Sequence, residues 1–249
     1  RAALIFQHGE NEADYLLARD LAVIASLKGR FDSMPAYAMD RWLRSIGQPQ
    51  RFRTQFGGGS GPNLSLQPAD SDPRTGVTDE LAAAFGVPPL AWMESAMKGK
   101  PDDALLAPLR ERLVRAKDPK ALARALSSPL TQRLAAWSRR PTSAARGKVI
   151  ELYRRNSLEH PAHFASAARV LLSSRARGEL QLAADFATLA VMRGERSALP
   201  VYREAFDKVL ESFGRTPRYA SSGFRSNQAL YRELGGRSVT DDDPSRRIR

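Results

Sequence analysis

Apolar residues recur along this chain at the three- and four-residue spacing of amphipathic α-helices. In residues 14–29, DYLLARDLAVIASLKG, one stripe contains Leu17, Leu21 and Ile24, with alanines beside it. Lys28 suits the negative end of a helix dipole, and Gly29 suits the left-handed conformation that ends many helices. The pattern therefore predicts a helix that stops at Gly29.

Residues 34–47, MPAYAMDRWLRSIG, predict a second helix of the same design. Pro35 suits a first turn, Met39 and Leu43 fall on one stripe, and Gly47 suits the end. Small alanines on both segments allow close packing, so we expect an antiparallel helical hairpin.

The pattern then breaks and resumes. Residues 57–76 are rich in Gly, Ser, Pro and Asp, which predicts a loop with at most a short extended piece at residues 64–67. Thr78 is placed to cap a following helix and Gly86 to end it, and short helical segments continue with Pro and Gly punctuation. The sequence thus predicts an all-α protein.

Two distant stretches can be aligned. Residues 16–29 match residues 181–194, and residues 39–52 match residues 206–219, a spacing of roughly 165 residues that we interpret as an internal repeat. The hairpins would form a tetratricopeptide-like right-handed superhelix or a bundle with two related halves. We divide the chain into a first domain (1–97, with the Gly-rich loop 57–76), a basic helical connector (98–145), a second, degenerate domain (146–235) and a polar tail (236–249).

The second stretch is preceded by a further helical pattern, whereas the first begins at Arg1. We therefore expect the matching helix of the first domain to have stood upstream. The sequence favours a cytoplasmic location slightly and leaves export open, because a signal peptide could have preceded Arg1. No run of eighteen apolar residues occurs, so no membrane span is expected.

Several segments resemble a bacterial family of helical proteins of unknown function. The similarity lies in FQHG, DYLLA, DRWL, GQPQ and the later TQ, in that order; it covers about residues 1–97 and more faintly 146–224. The resemblance implies a helical fold and a set of polar residues, but no activity. This chain departs from the family pattern at Arg53, where the family has Gly, which leaves open whether the backbone makes a tight turn there.

The first domain has polar residues that the second lacks. Gln7 and His8 align with Leu172 and Ser173, and the segment 48–55 aligns with a stretch without glutamine. Because a scaffold should persist in both copies, these positions are candidates for ligand binding, with amide groups for a peptide backbone and Arg41 for a carboxylate or phosphate. The predicted ligand-binding residues are Gln7, His8, Arg41, Gln50, Thr54 and Gln55.

Other interpretations stay open at this stage. His8 is also explained as the last residue of a helix with Gly9 as its cap, or as a catalytic acid or base. Asp40 and Arg41 recur in the second copy as Asp207 and Lys208, which favours a structural brace. His160 and His163 suit a helix start. No carboxylate pair, catalytic triad or metal-ligand spacing is present, so no cofactor, metal or catalytic residue is predicted.

Charge points to a second class of function. The chain has a net charge of +12, and residues 98–155 contain fifteen Lys or Arg against five Asp or Glu. Such a segment can attract nucleic acid or an anionic surface, although a solvated Arg-rich surface explains it as well. The candidate residues for this alternative are Arg110, Arg115, Arg124, Arg139 and Arg140.

The three hypotheses are therefore different in kind. The first is a helical-repeat scaffold that recognises a peptide or protein partner, and the second is a protein that associates with nucleic acid through the connector. The third is an enzyme that uses His8. Because an internal repeat can replace a dimer of single domains, we expect a monomer.

Overall fold

A computed structural model describes residues 1–30, 32–57, 65–107, 110–111 and 118–219 of this chain. The structure is 64% helix and 3% strand, with helices packed against each other, which confirms the all-α prediction. The superhelical arrangement stays a prediction. Arg115 and the tail 236–249 lie outside the described residues, as does part of the Gly-rich loop, residues 58–64.

The described residues up to 106 form five helices, a two-stranded sheet and one 3₁₀ turn. The elements are α1 (Ala2–Gln7), α2 (Glu12–Leu27), α3 (Met34–Ser45), β1 (Phe56–Gly57), β2 (Ser65–Leu66), α4 (Asp79–Ala84), α5 (Leu90–Met97) and the turn Asp103–Leu106. The strands are antiparallel, with Phe56 opposite Leu66. The predicted loop therefore includes a short extended piece, as expected.

The described residues from 118 onwards form six helices and a second 3₁₀ turn. They are α6 (Pro119–Leu126), α7 (Pro129–Arg139), α8 (Ser143–Arg154), α9 (Pro161–Leu171), α10 (Arg177–Met192), the turn Arg196–Ala198 and α11 (Leu199–Ser212). Helix α9 packs against α7, α8 and α10, so α7, although it belongs to the predicted connector, contacts the second domain directly.

The predicted helix ends are confirmed. The Thr78 hydroxyl accepts a hydrogen bond from the amide of Leu81, and Gly29, Gly47 and Gly86 all have positive φ angles, between 72° and 84°. His160 caps α9, because its Nδ1 accepts a hydrogen bond from the backbone N–H of Ala162. Local sequence signals thus set the bounds of these helices.

The aligned segments have matching helices. Helices α2 and α10 each contain 16 residues, and α2 packs against α3 as α10 packs against α11. Gly194 and Gly214, which align with Gly29 and Gly47, have φ angles of 89° and 69°. The two hairpins meet where α2 packs against α10.

The core is continuous through both segments. Met39 and Leu43 of α3 are buried, as their spacing predicts. Trp42 is also buried and lies 6.0 Å from Phe206 of α11 between ring centroids. Phe186 of α10 and Tyr153 of α8 also pack at 5.4 Å. Because aromatic side chains from both segments share one core, the hydrophobic effect holds the segments together.

Two buried ion pairs connect the segments reciprocally. Arg51 of the first donates to the Asp185 carboxylate of α10 at 2.6 Å, and Arg218 of the second donates to the Asp20 carboxylate of α2 at 2.6 Å. In the alignment, Arg51 matches Arg218 and Asp20 matches Asp185. Each segment therefore supplies the arginine for the other segment's aspartate.

Arg19 makes the two sides of this contact unequal. Its guanidinium donates to the hydroxyls of Tyr202 at 2.7 Å and Thr188 at 2.9 Å, and it stacks 3.7 Å from the Phe206 ring centre. The aligned residue of α10 is Ala184, which has no such group.

Among the residues that the structure describes, none of the helices combines the length and apolar character needed to cross a bilayer.

We expect Asp185→Leu to lower the free energy of unfolding by about 3 kcal/mol, because it leaves the Arg51 guanidinium buried without its closest carboxylate. Asp70, at 2.8 Å from Arg51, keeps the loss at the lower end of the usual range. Urea unfolding monitored by circular dichroism measures the change.

Two comparisons sharpen this measurement. The double variant Arg51→Met with Asp185→Leu should recover more than half of the loss, because the buried Arg51 charge is removed and the carboxylate left behind, Asp70, is partly exposed. Glu204→Ala, which breaks an exposed pair with Lys208, should cost less than about 1 kcal/mol. Equal losses in the buried and exposed variants would contradict the assignment.

Candidate functional site

The Asp40 carboxylate, on α3, organises the loop that follows that helix. Its oxygens accept hydrogen bonds from the backbone N–H groups of Arg51 at 2.7 Å, Phe52 at 2.9 Å and Thr54 at 3.0 Å, and from the Thr54 hydroxyl at 2.8 Å. Four donors on one fully buried carboxylate fix the backbone of residues 51–54.

Burial raises the pKa of the Asp40 carboxyl to about 6, and the hydrogen bonds from the Phe52, Thr54 and Arg51 donors oppose this effect. The backbone of residues 51–54 is therefore held by a carboxyl whose pKa is raised more by burial than it is lowered by hydrogen bonds.

Two glutamines connect the two ends of the same loop. The Gln50 amide donates from Nε2 to the carbonyl oxygens of Gln55 at 3.0 Å and Gln67 at 2.7 Å, and its Oε1 accepts from the Gln55 amide N–H at 2.8 Å. The Gln55 side chain in turn donates to the Thr54 hydroxyl at 3.0 Å and to the Tyr37 carbonyl at 3.4 Å. Gln50, Thr54 and Gln55 are buried and hold the loop in place.

Arg41 is the member of this group that reaches solvent. Its Nε donates to Oε1 of Gln55 at 3.2 Å, and the residue is partly exposed. Among the described residues, no Asp or Glu forms an ion pair with Arg41, whereas the buried Arg51 and the partly buried Arg218 are both paired. The structure therefore brings Arg41, Gln50, Thr54 and Gln55 together and leaves the guanidinium amino groups of Arg41 without a carboxylate.

The second segment repeats the brace but not the glutamine contacts. Asp207 accepts from the backbone N–H groups of Arg218 at 2.6 Å and Tyr219 at 2.9 Å, as Asp40 does from Arg51 and Phe52. Lys208, which aligns with Arg41, binds the carbonyl of Leu172 at 2.9 Å and Glu204 at 3.1 Å. A carboxylate brace is therefore common to both segments, and a glutamine-supported arginine occurs in the first.

Arg53 lies in the loop of residues 51–54 that Asp40 holds, and its φ angle is 61°. Residues with a Cβ adopt this left-handed conformation only at a steric penalty, which glycine does not incur. The backbone therefore does make a tight turn at Arg53, the point that the sequence alone did not decide. The Arg53 guanidinium donates to Asp79 at 2.6 Å, which ties the turn to the start of α4.

Gln7 and His8 lie at the end of α1. Gln7 is buried and His8 is exposed, and the His8 backbone N–H donates to the Ile5 carbonyl at 3.1 Å, as expected of a helix end. We predicted that Gly9 caps this helix, but Gly9 does not have the left-handed conformation of such a cap. A Cβ at this position would overlap the Asp14 side chain, so glycine is required because Asp14 packs closely against its backbone. Among the described residues, no carboxylate binds the His8 ring. The hypothesis that His8 is a catalytic acid or base therefore has no second catalytic group among them.

The basic candidates lie far along the chain from this loop. Arg124 is exposed on α6, and Arg139 and Arg140 are exposed at the end of α7. Arg110 is exposed in the short described piece 110–111, and Arg115 lies outside the described residues.

Sequence reasoning missed three parts of the Arg41 environment. Gln67 and Tyr37 contribute backbone carbonyls to the glutamine network, and Asp40 contacts loop backbone rather than a neighbouring helix. The signal that could have indicated Asp40 is its recurrence as Asp207, 11 residues before an Arg-aromatic pair in both copies. Within the described ranges, no group of three His, Asp or Glu could hold a metal ion.

Comparison with models of protein families, with curated proteins and with solved structures finds no match to this chain. The family resemblance therefore stays a prediction, and function is inferred from the residues themselves.

We expect Arg53→Gly to be more stable than Arg53→Ala by about 1 kcal/mol. Both variants lose the Asp79 ion pair, but only alanine keeps a Cβ in the left-handed conformation. The same two substitutions at Arg44, in the exposed last turn of α3, should give the opposite order, because glycine weakens a helix. Thermal unfolding of the four variants measures both differences.

Asp40 should titrate with a midpoint of about 6 in the folded protein, above the value of about 3.9 for a free Asp side chain. Because the folded state binds this proton more tightly, the stabilisation is complete below pH of about 4 and is lost as the pH rises through about 6. Carbon-13 NMR of the carboxyl measures the midpoint, and Asp40→Asn assigns the signal. A midpoint below 4 would overturn the prediction.

Proposed function

We propose that this chain is a helical interaction module that binds a carboxylate-bearing segment of a protein partner at Arg41. The observation that carries the proposal is the contact of the Arg41 Nε with Gln55 at 3.2 Å, together with the absence of an acidic partner for Arg41 among the described residues. A guanidinium of this kind can bind a carboxylate through two parallel hydrogen bonds.

The buried polar residues are positioning residues in this proposal. Gln50 holds the backbone of Gln55 on both sides of the residue, at 2.8 and 3.0 Å, and the Gln55 amide is also bound by Thr54. Because the Gln55 side chain is fixed in this way, it fixes the Arg41 Nε. Preorganisation lowers the conformational entropy lost when a ligand binds.

The aligned contact in the other segment indicates where Gln7 and His8 lie. Lys208 binds the Leu172 carbonyl at 2.9 Å, and these residues align with Arg41 and Gln7. Helix α1 packs against α3. We infer that the two segments are copies of one unit, in which case the end of α1, with Gln7 and His8, borders the Arg41 site.

The outer side of α1 favours a protein partner over a small anion. Leu4 and Ile5 are 51% and 70% exposed, whereas Val170, which aligns with Ile5, is fully buried beneath neighbouring helices. Exposed aliphatic side chains on a helix that packs against α3, together with the Arg41 guanidinium of α3, suit a peptide that offers both apolar and carboxylate groups.

A peptide library tests the proposal. The purified protein is titrated, with fluorescence anisotropy as the readout, against random 12-residue peptides that contain Asp and Glu and end in a free carboxylate. The control peptides have Asn in place of Asp, Gln in place of Glu and an amidated C-terminus. We expect binding by a subset of the acidic peptides and a loss of about 10- to 150-fold in Arg41→Gln, since hydrogen bonds to charged groups contribute about 1.5–3 kcal/mol.

Matched variants separate this site from general charge effects. Lys208→Gln removes one positive charge at the aligned position and should change the affinity by less than about twofold. Gln55→Glu should weaken binding as Arg41→Gln does, because a carboxylate at position 55 occupies the guanidinium. Unfolded variants are recognised by circular dichroism. Equal binding by wild type and Arg41→Gln, or by acidic and neutral peptides, would refute the proposal.

A further inference from the structure

Helices α6 and α7 present a cluster of exposed cations that the Arg41 site does not use. We call the exposed side chains of Lys120, Arg124, Arg133, Arg139 and Arg140 the α6–α7 basic surface. The single acidic residue of segment 118–140 is Asp118, whose carboxylate caps α6 by accepting from the backbone N–H of Lys120 at 2.9 Å.

These five cations have no acidic partner among the described residues, whereas some exposed cations elsewhere in the described chain do. Elsewhere, Arg74 pairs with Glu179 at 3.5 Å, and Lys148 and Arg155 both pair with Glu151 at 2.9 Å. On the α6–α7 basic surface, no described Asp or Glu forms an ion pair with any of the five. Its positive potential is therefore not compensated locally.

The five charges follow the outer sides of two consecutive helices. Lys120 and Arg124 are four residues apart on α6, Arg133 is exposed on α7, and Arg139 and Arg140 are exposed at the end of α7. Residues four apart lie on the same side of a helix, at a rise of about 6 Å, so Lys120 and Arg124 share one side of α6.

The body of the protein holds this surface in a fixed position. The Thr131 hydroxyl in the first turn of α7 lies 2.7 Å from Nε2 of His163 on α9, and it donates to the Ala125 carbonyl of α6 at 2.8 Å. Leu134 of α7 is fully buried in the core. Leu134 thus anchors α7 to the core, and the hydrogen bond from Thr131 to Ala125 joins α6 to α7.

We propose that the α6–α7 basic surface binds the phosphate backbone of double-stranded nucleic acid without sequence specificity. Each of its five cations would neutralise one phosphate and release a counterion. The inference does not depend on the Arg41 proposal, because the two use different residues.

Two features favour a duplex over other polyanions. Membrane-surface helices insert an apolar face into the lipid, whereas the apolar face of α7, with Leu134 and Trp137, packs into the core. Proteins that bind single strands add exposed aromatic residues for base stacking, and the described part of α6 and α7 exposes none.

Fluorescence anisotropy with a 20-base-pair random-sequence duplex, at several salt concentrations, tests the proposal. Five phosphate contacts give a slope of log K against log salt of about −4.5, so affinity should fall about 500-fold between 50 and 200 mM salt. The triple variant Arg133→Gln, Arg139→Gln, Arg140→Gln should reduce the slope to about −1.8.

A second triple variant, Arg74→Gln, Lys148→Gln, Arg155→Gln, removes the same charge from ion-paired positions and should keep the wild-type slope. Absence of duplex binding at 50 mM salt would overturn the proposal, and so would equal loss in both triple variants. Binding to vesicles rich in phosphatidylserine that depends on Arg133, Arg139 and Arg140, with no duplex binding, would assign the surface to lipid instead.

Discussion

The reciprocal exchange of arginines between the two segments is the interaction on which the rest of the structure depends. Arg51 and Asp185, and Arg218 and Asp20, bury charges that are very unfavourable without a partner. Each arginine is in turn set by a loop whose backbone is held by Asp40 or Asp207. The position of a loop in one segment therefore decides whether a charge in the other segment is satisfied.

The same loop joins the core to the proposed binding site. Its inner side supplies Arg51 to Asp185, and its outer side presents Gln55 to Arg41 at 3.2 Å. A change in the loop would therefore affect stability and the Arg41 guanidinium together. This coupling explains how buried glutamines can matter to a surface contact without touching a ligand, because their hydrogen bonds determine where the exposed cation is held.

Helix positions were predictable from the sequence because they depend on local chemistry. The stripe of Leu17, Leu21 and Ile24, the glycine at 29 and the cap at Thr78 each act within one or two turns, and the structure has helices with those bounds. Burial of Met39 and Leu43 also follows from spacing alone. The exchange of Arg51 with Asp185 could not be predicted, since the residues are 134 positions apart and nothing local selects the partner.

The candidate site was predictable only as a set of residue types. Glutamine amides satisfy a loop backbone as well as they satisfy a ligand, so the sequence could not decide which groups Gln50 and Gln55 contact. Arg53 shows a related limit. A bulky residue in a left-handed turn contradicts local preference, and the turn persists because Asp40 binds the backbone on both sides of it.

The ion pairs between the two segments also limit when the first hairpin can finish packing during translation. Asp20 and Arg218 are separated by 198 residues, so Asp20 emerges from the ribosome long before its partner exists. At about 5–20 residues per second, the interval is about 10–40 s. During this time helix α2 can form, but its buried face contains a carboxylate that water must still solvate. The first hairpin therefore completes its packing only when the end of the second has been made.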